Sequence, residues 1–190
     1  MEEASNAAVK AKRKYRAIYL LVPLVLAAAI FGALEWRKHA INSQVQTALV
    51  DEAGATTTVY RRDLLGGNDI VFDIQAVSGD MSMVIMTRRL LKTAEALKDA
   101  DLGRVFLAYK GHEKFYLDGA YFKQIGAERQ TQNAIYTIRT MPENVHNVDG
   151  SPAFQTWSGG ILGVLGQQMD DVNEFHRKWW ADDAVNDLGK

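Results

Sequence analysis

The sequence predicts one α+β or α/β domain, a mixed sheet of about four to five strands packed by helices, held behind an N-terminal membrane anchor. Three patterns predict it: an uncharged apolar run with cations in front of it, short β-branched runs, and a long amphipathic helical pattern between two of those runs.

From Ala17 to Leu34 the chain reads AIYLLVPLVLAAAIFGAL, eighteen residues without a charge. At helical rise that run covers roughly 27 Å, close to the ~30 Å hydrocarbon core once Tyr15 and Trp36 reach the interfaces. A span over residues 17–36 follows, with Pro23 early enough in it for its lost hydrogen bond to be met locally. Lys10, Lys12, Arg13, Lys14 and Arg16 precede the span, and only Arg37 and Lys38 follow closely. This asymmetry places the basic tail, residues 1–16, in the cytoplasm and the C-terminal domain on the periplasmic or extracellular side of a bacterial inner (plasma) membrane. A cleaved signal peptide fits less well. A cut after Ala33 would put Phe31 at −3, and a cut after Ala29 would fall inside the apolar run.

Residues 37–55 carry Ile41, Val45, Ala48 and Leu49 at the spacing of one helical face, which predicts a helical stalk ending near Gly54. Its narrow apolar stripe suits another copy, a neighbouring protein or the chain's own domain. The domain is expected over residues 56–185, with a short tail at 186–190. Because every remaining strand and helix pattern lies beyond Thr56, a fragment starting there is expected to fold alone.

Within the domain, Thr56–Arg62 and Ile70–Val77 read as a hairpin across the turn residues Gly66-Gly67-Asn68-Asp69. Ser78-Gly79-Asp80 offers an N-cap for a helix over Met81–Ala100. There Val84, Leu90, Leu91, Ala94 and Leu97 form the apolar face, and Arg88, Arg89, Lys92, Glu95 and Lys98 lie largely opposite. Arg104–Lys110 is a third strand and Lys114–Asp118 its hairpin partner or the entry to a helix. Tyr121–Gln130 is helical in pattern, and Ala134–Thr140 (AIYTIRT) reads as another strand. A loop over residues 142–153 leads to a helical region from Phe154 to about Val185. Strands alternating with helices favour a mixed sheet over a purely antiparallel one.

Composition narrows the chemistry. The chain has no cysteine, which excludes disulfides, thiolate metal sites and thiol catalysis. Residues 1–38 hold seven cations against three carboxylates, +4, so a chain of net charge −1 leaves −5 for the rest. An acidic domain is a poor match for a phosphate backbone, and nucleic acid is not expected as a partner.

The most unusual stretch is Thr156-Trp157-Ser158-Gly159-Gly160-Ile161-Leu162-Gly163-Val164-Leu165-Gly166. Gly160, Gly163 and Gly166 recur every three residues, a bare helical strip on which another backbone can pack, first of all one from the same domain. No Lys-Ser/Thr follows and no strand precedes, so a phosphate loop is a poor fit. Asp170, Asp171 and Glu174 share i, i+3 and i, i+4 spacings with His176 nearby, but a solvated acidic face explains them without a metal. Phe175, Trp179 and Trp180 suit packing on the sheet, or an interface near lipid headgroups. His112, Glu113, Lys114 and Asp118 collect near a turn without a nucleophile motif. His146 with Asp149 marks the 142–153 loop, and Ser158 lacks the G-x-S-x-G context.

No catalytic, metal or cofactor residue is therefore assigned, and no cofactor is expected. The partner-binding candidates are Trp157, Gly160, Gly163, Gly166, Trp179 and Trp180. The pattern favours a membrane-anchored, non-enzymatic interaction or accessory subunit that contacts the bilayer through residues 17–36 and other membrane-complex subunits, or itself, through its domain. The alternative is an envelope hydrolase built on the His112 turn or the 142–153 loop. What separates them is whether titratable groups converge in a pocket or apolar side chains lie exposed.

Overall fold

The computed structural model describes Val25, Gly32, residues 41–63 and residues 67–189. Two compact units divide the chain, Met1–His39 and Ala40–Lys190, and the folded domain is the second. Apart from Val25 and Gly32, the expected basic tail 1–16 and span 17–36 lie outside the described residues. Among the described residues no helix is long and apolar enough to cross a membrane.

The domain is α+β. Five strands, β1 (Ala55–Arg61), β2 (Ile70–Val77), β3 (Arg104–Tyr109), β4 (His112–Asp118) and β5 (Val145–Asn147), lie in sequence order in one mixed sheet. The β1–β2, β3–β4 and β4–β5 pairs are antiparallel, while β2 and β3 run parallel. A parallel pair needs a crossover, and α2 (Met83–Ala96) supplies it. The hairpin, the crossover and the third and fourth strands follow the sequence pattern. The helix is trimmed at both ends, and its N-cap is Ser82, whose hydroxyl accepts from the Ile85 amide, rather than the Ser78–Asp80 turn.

Residues 41–48 are helical (α1) and belong to the domain. Val45 and Leu49 are buried in the same core as Phe72, Leu90 and Leu107. Asn42 Oδ1 accepts from the Val59 amide, and Gln46 Nε2 donates to the Thr57 carbonyl. Glu52 then bridges Arg88 at 3.0 Å and Lys92 at 2.8 Å, and this clasp holds its carboxyl below the usual range against the opposing effect of burial. The boundary expected at residue 56 therefore cuts through the core, because one side of the narrow stripe at Val45 and Leu49 is covered by the domain itself. At the other end α6 (Asp182–Leu188) extends past the expected limit at residue 185, and Asp187 receives Tyr109 and Lys110.

Two residues of α2 exchange the sides expected of them. Arg89 is buried, donating to the Glu52 carbonyl and to Thr57 Oγ1 at 3.2 Å, and its burial lowers its pKa. Val84 is 67% exposed. A long stem with a polar tip can cross a packed interface to reach backbone oxygens, which an amphipathic pattern does not register.

The larger correction concerns Ala134–Thr140, a helix (α4) and not a strand. Asn133 caps it, its side-chain oxygen accepting from the Ile135 amide at 3.0 Å. A 3₁₀ turn, Met141–Asn144, then leads into β5, so the edge strand comes from what reads as loop. Helix α3 (Gly119–Glu128) matches expectation and packs on α2. The last helical stretch begins at Ile161 rather than Phe154: α5 (Ile161–His176), a π-helical turn (Arg177–Ala181) and α6 are continuous.

That π turn directs two adjacent tryptophans into the core. Trp179 is fully buried, with ring centroids 5.8 Å from Phe72 and 5.3 Å from Phe175, and Trp180 is nearly so. Trp180 Nε1 donates to His176 Nδ1 at 2.9 Å, which leaves the imidazole proton on Nε2, facing Thr87 Oγ1 at 2.8 Å; the Thr87 hydroxyl in turn donates to the Met83 carbonyl. His176 is thus a neutral, fully bonded bolt between α5 and α2, and burial pushes its pKa down to about 4. The unfolded chain takes up this proton near pH 6.5, the folded one only near 4, so stability is complete above pH 6.5 and falls as pH drops through that window. About 3 kcal/mol should be lost between pH 6.5 and 4. In urea titrations at several pH values, the stability gap between wild type and His176→Gln should narrow by that amount as pH falls; a constant gap would dispose of the bolt.

A candidate partner-binding surface around α4

Helix α4 is a short apolar ridge, AIYTIRT, that buries little of itself. Thr137 is its buried residue, while Ile135 is 67% exposed and Tyr136 47%. It packs beside α5, where Leu165 and Met169 stand at i, i+4 on the outer side, 36% and 40% exposed. The inner side of α5 is anchored by Gln168, buried, whose amide donates to Glu143 at 2.6 Å, and by Val172 and Phe175. Four sizeable apolar side chains on two adjoining helices thus face outward, whereas scattered exposed apolar residues need no explanation.

A hollow flanks the ridge on each side. One, of about 420 Å³, lies between α4 and the start of α5 and is lined by Tyr136, Arg139, Glu143, Trp157, Val164 and Gln168. Arg139 lies over the Tyr136 ring, 5.2 Å from its centroid. The other, of about 430 Å³, lies between α2, the end of α3 and α4, lined by Val84, Arg88, Leu91, Ile125, Arg129 and Ile138.

The residues singled out in the sequence divide clearly. Trp157 is half-buried at the edge of the first hollow, and its indole donates to Asp171 at 2.6 Å. Gly160, Gly163 and Gly166 are exposed, and a Cβ added at any of them would meet nothing within 4 Å. The close packing expected within the domain is absent at these glycines, since Gly163 and Gly166 lie on the outer part of α5 and Gly160 at its exposed N-cap. Trp179 and Trp180 are core residues and present no surface to a partner.

Most acid–base candidates are paired off, although His112 and Lys114 line one open hollow of about 390 Å³ with Lys110, Asp183 and Asp187. Glu113 pairs with Arg62 at 2.8 Å, Lys114 with Asp183 at 2.8 Å, and Asp118 faces His146 at 3.8 Å. His146 stacks on Tyr116, and Asp149 accepts from the Ser151 amide and hydroxyl. Glu174 is taken by Arg177 and Lys178, which hold its carboxyl below the usual range. Among the described residues no cluster of His, Asp and Glu has the arrangement of a metal site.

Ile135, Tyr136, Leu165 and Met169 were not among the sequence candidates. The strand reading of AIYTIRT hid the first two by assigning them to a sheet; the signal for the others was the Leu165/Met169 spacing beside the glycines. Compared with family models, with curated proteins and with solved structures, the chain matches none.

Proposed function

We propose that the chain is a membrane-anchored, non-enzymatic accessory subunit, held in the bilayer through residues 17–36 with its N-terminus cytoplasmic, that presents the α4–α5 face to another subunit of a membrane complex on the extracytoplasmic side. The carrying observation is the exposure of Ile135 and Tyr136 on α4 and of Leu165 and Met169 on the adjoining α5, whose glycines are unfilled. Gly163 and Gly166 leave the outer part of α5 open to a partner backbone, and the exposed side chains of α4 and α5 supply apolar area. Confinement to one membrane raises the effective concentration of the two proteins, so a modest patch suffices. Opposing the hydrolase alternative, Glu113 is paired with Arg62, Lys114 with Asp183 and Asp149 with Ser151, while Asp118 and His146, 3.8 Å apart, join the two groups by a single long contact.

The test separates binding from folding. Leu165→Asp with Met169→Asp alters exposed positions and should leave unfolding stability within about 0.5 kcal/mol. The membrane proteins that accompany the wild-type chain out of mild detergent should be lost. A variant that keeps the same companions would remove this face from consideration.

A further inference from the structure

We propose that the cleft between α2, α3 and α4 is a second site, distinct from the α4–α5 face, that binds a single-chain amphiphile with an anionic head. Its floor is apolar and nearly closed, formed by Leu91 and Ile125, 7% and 3% exposed. Val84 and Ile138 continue this lining toward the mouth. Val84, Arg88 and Leu91 form one stripe of α2 at i, i+4 and i+7, so the stripe runs about 10 Å along the cleft. The charged groups that line it are Arg88 and Arg129, with no carboxylate among the lining residues. Each guanidinium has a carboxylate behind it, Glu52 for Arg88 and Glu95 for Arg129, but Glu52 is shared with Lys92 at 2.8 Å. Three cations against two carboxylates leave this wall net positive. An anion entering there meets two guanidiniums, and an apolar chain behind it meets the floor.

The closed apolar floor and the two guanidiniums at one cleft select this occupant, and the cleft holds about 430 Å³. That volume falls within the ~300–1,000 Å³ of ordinary small-ligand sites. A fatty carboxylate and a lipid phosphate share the required chemistry, an acyl chain with an anionic end.

The full chain in lipid nanodiscs, with its Val, Leu and Ile methyls labelled for NMR, should be titrated with decanoate, decyl phosphate and decanol at matched free concentrations. Saturable shifts at Val84, Leu91, Ile125 and Ile138 are expected with at least one anion, the tighter of the two naming the source. Decanol should bind at least tenfold more weakly. Arg88→Gln with Arg129→Gln should abolish the preference while methyl shifts elsewhere stay in place. Equal binding of decanol and both anions by the wild type would overturn the proposal without reference to any variant, as would no response at the cleft methyls. An acidic amphipathic peptide that moves those methyls where neither anion does would overturn it in favour of a protein ligand.

Discussion

Alanine at Gly126 should cost the domain at least about 3 kcal/mol, whereas alanine at Gly163 should leave it unchanged or more stable by up to about 1 kcal/mol. The two glycines are both helical, yet their surroundings are opposite. A Cβ on Gly126 would sit 2.2 Å from the Ala94 carbonyl oxygen and 2.4 Å from its carbon. Those atoms are backbone of α2, so relief requires α2 and α3 to separate, and the separation opens the buried contact around Leu90, Ala94 and Ile125. No flexible side chain can give way instead. A Cβ on Gly163 meets nothing within 4 Å, and alanine there recovers the helix propensity that glycine forgoes. Chemical denaturation of both variants measures the contrast directly. A Gly126→Ala chain as stable as wild type would mean that the α2–α3 contact is not made backbone to backbone.

Starting the chain at Thr56 should prevent cooperative folding, while starting it at Ala40 should preserve it. The shorter fragment lacks Val45 and Leu49, both in the main core, and each buried aliphatic of that size contributes about 1.5–3 kcal/mol. It also lacks Glu52, whose carbonyl receives buried Arg89 and whose carboxylate pairs with Arg88 and Lys92. Arg89 would keep Thr57 as its remaining partner in that network. A loss of about 3–6 kcal/mol from packing alone is comparable with the whole stability of a domain this size. Amide dispersion and a sigmoidal thermal transition should appear for residues 40–190 and fail for 56–190. Two equally well-folded fragments would return residues 41–55 to the role of a free stalk.

Local patterns carried much of this fold. Alternation and β-branching marked β1, β2 and β3, and the turn chemistry at Gly66–Asp69 and at Gly111 marked both hairpins. What failed depended on tertiary context. AIYTIRT has the composition of a buried strand, but Asn133 caps it as a helix, and a three-residue edge strand beyond it is too short to leave a periodic signal. Glycine spacing drew attention to Gly160, Gly163 and Gly166, whereas the glycines that backbone approaches closely are Gly119 and Gly126, neither part of a repeat. The candidate surface was legible in part: Trp157 and the glycine strip lie beside it, but its apolar residues on α4 stayed hidden behind the wrong secondary structure. Trp179 and Trp180 followed the packing expectation and not the interface one, because the π turn lets neighbouring residues both point inward.

The absence of cysteine allows the central proposal to be tested in the living cell with single thiols. Cysteine placed at Ile135, Leu165 or Val148 provides an exposed reporter, the last lying outside the α4–α5 face. With a membrane-impermeant maleimide added to intact cells, the Val148→Cys chain should label as fast as the purified protein, which reports an extracytoplasmic domain. Ile135→Cys and Leu165→Cys should label at least tenfold more slowly in cells than after purification, because a partner covers them. Equal rates in cells and in the purified state at those two positions, with Val148→Cys reactive in both, would contradict a partner on this face; a Val148→Cys chain that labels only after lysis would contradict the topology.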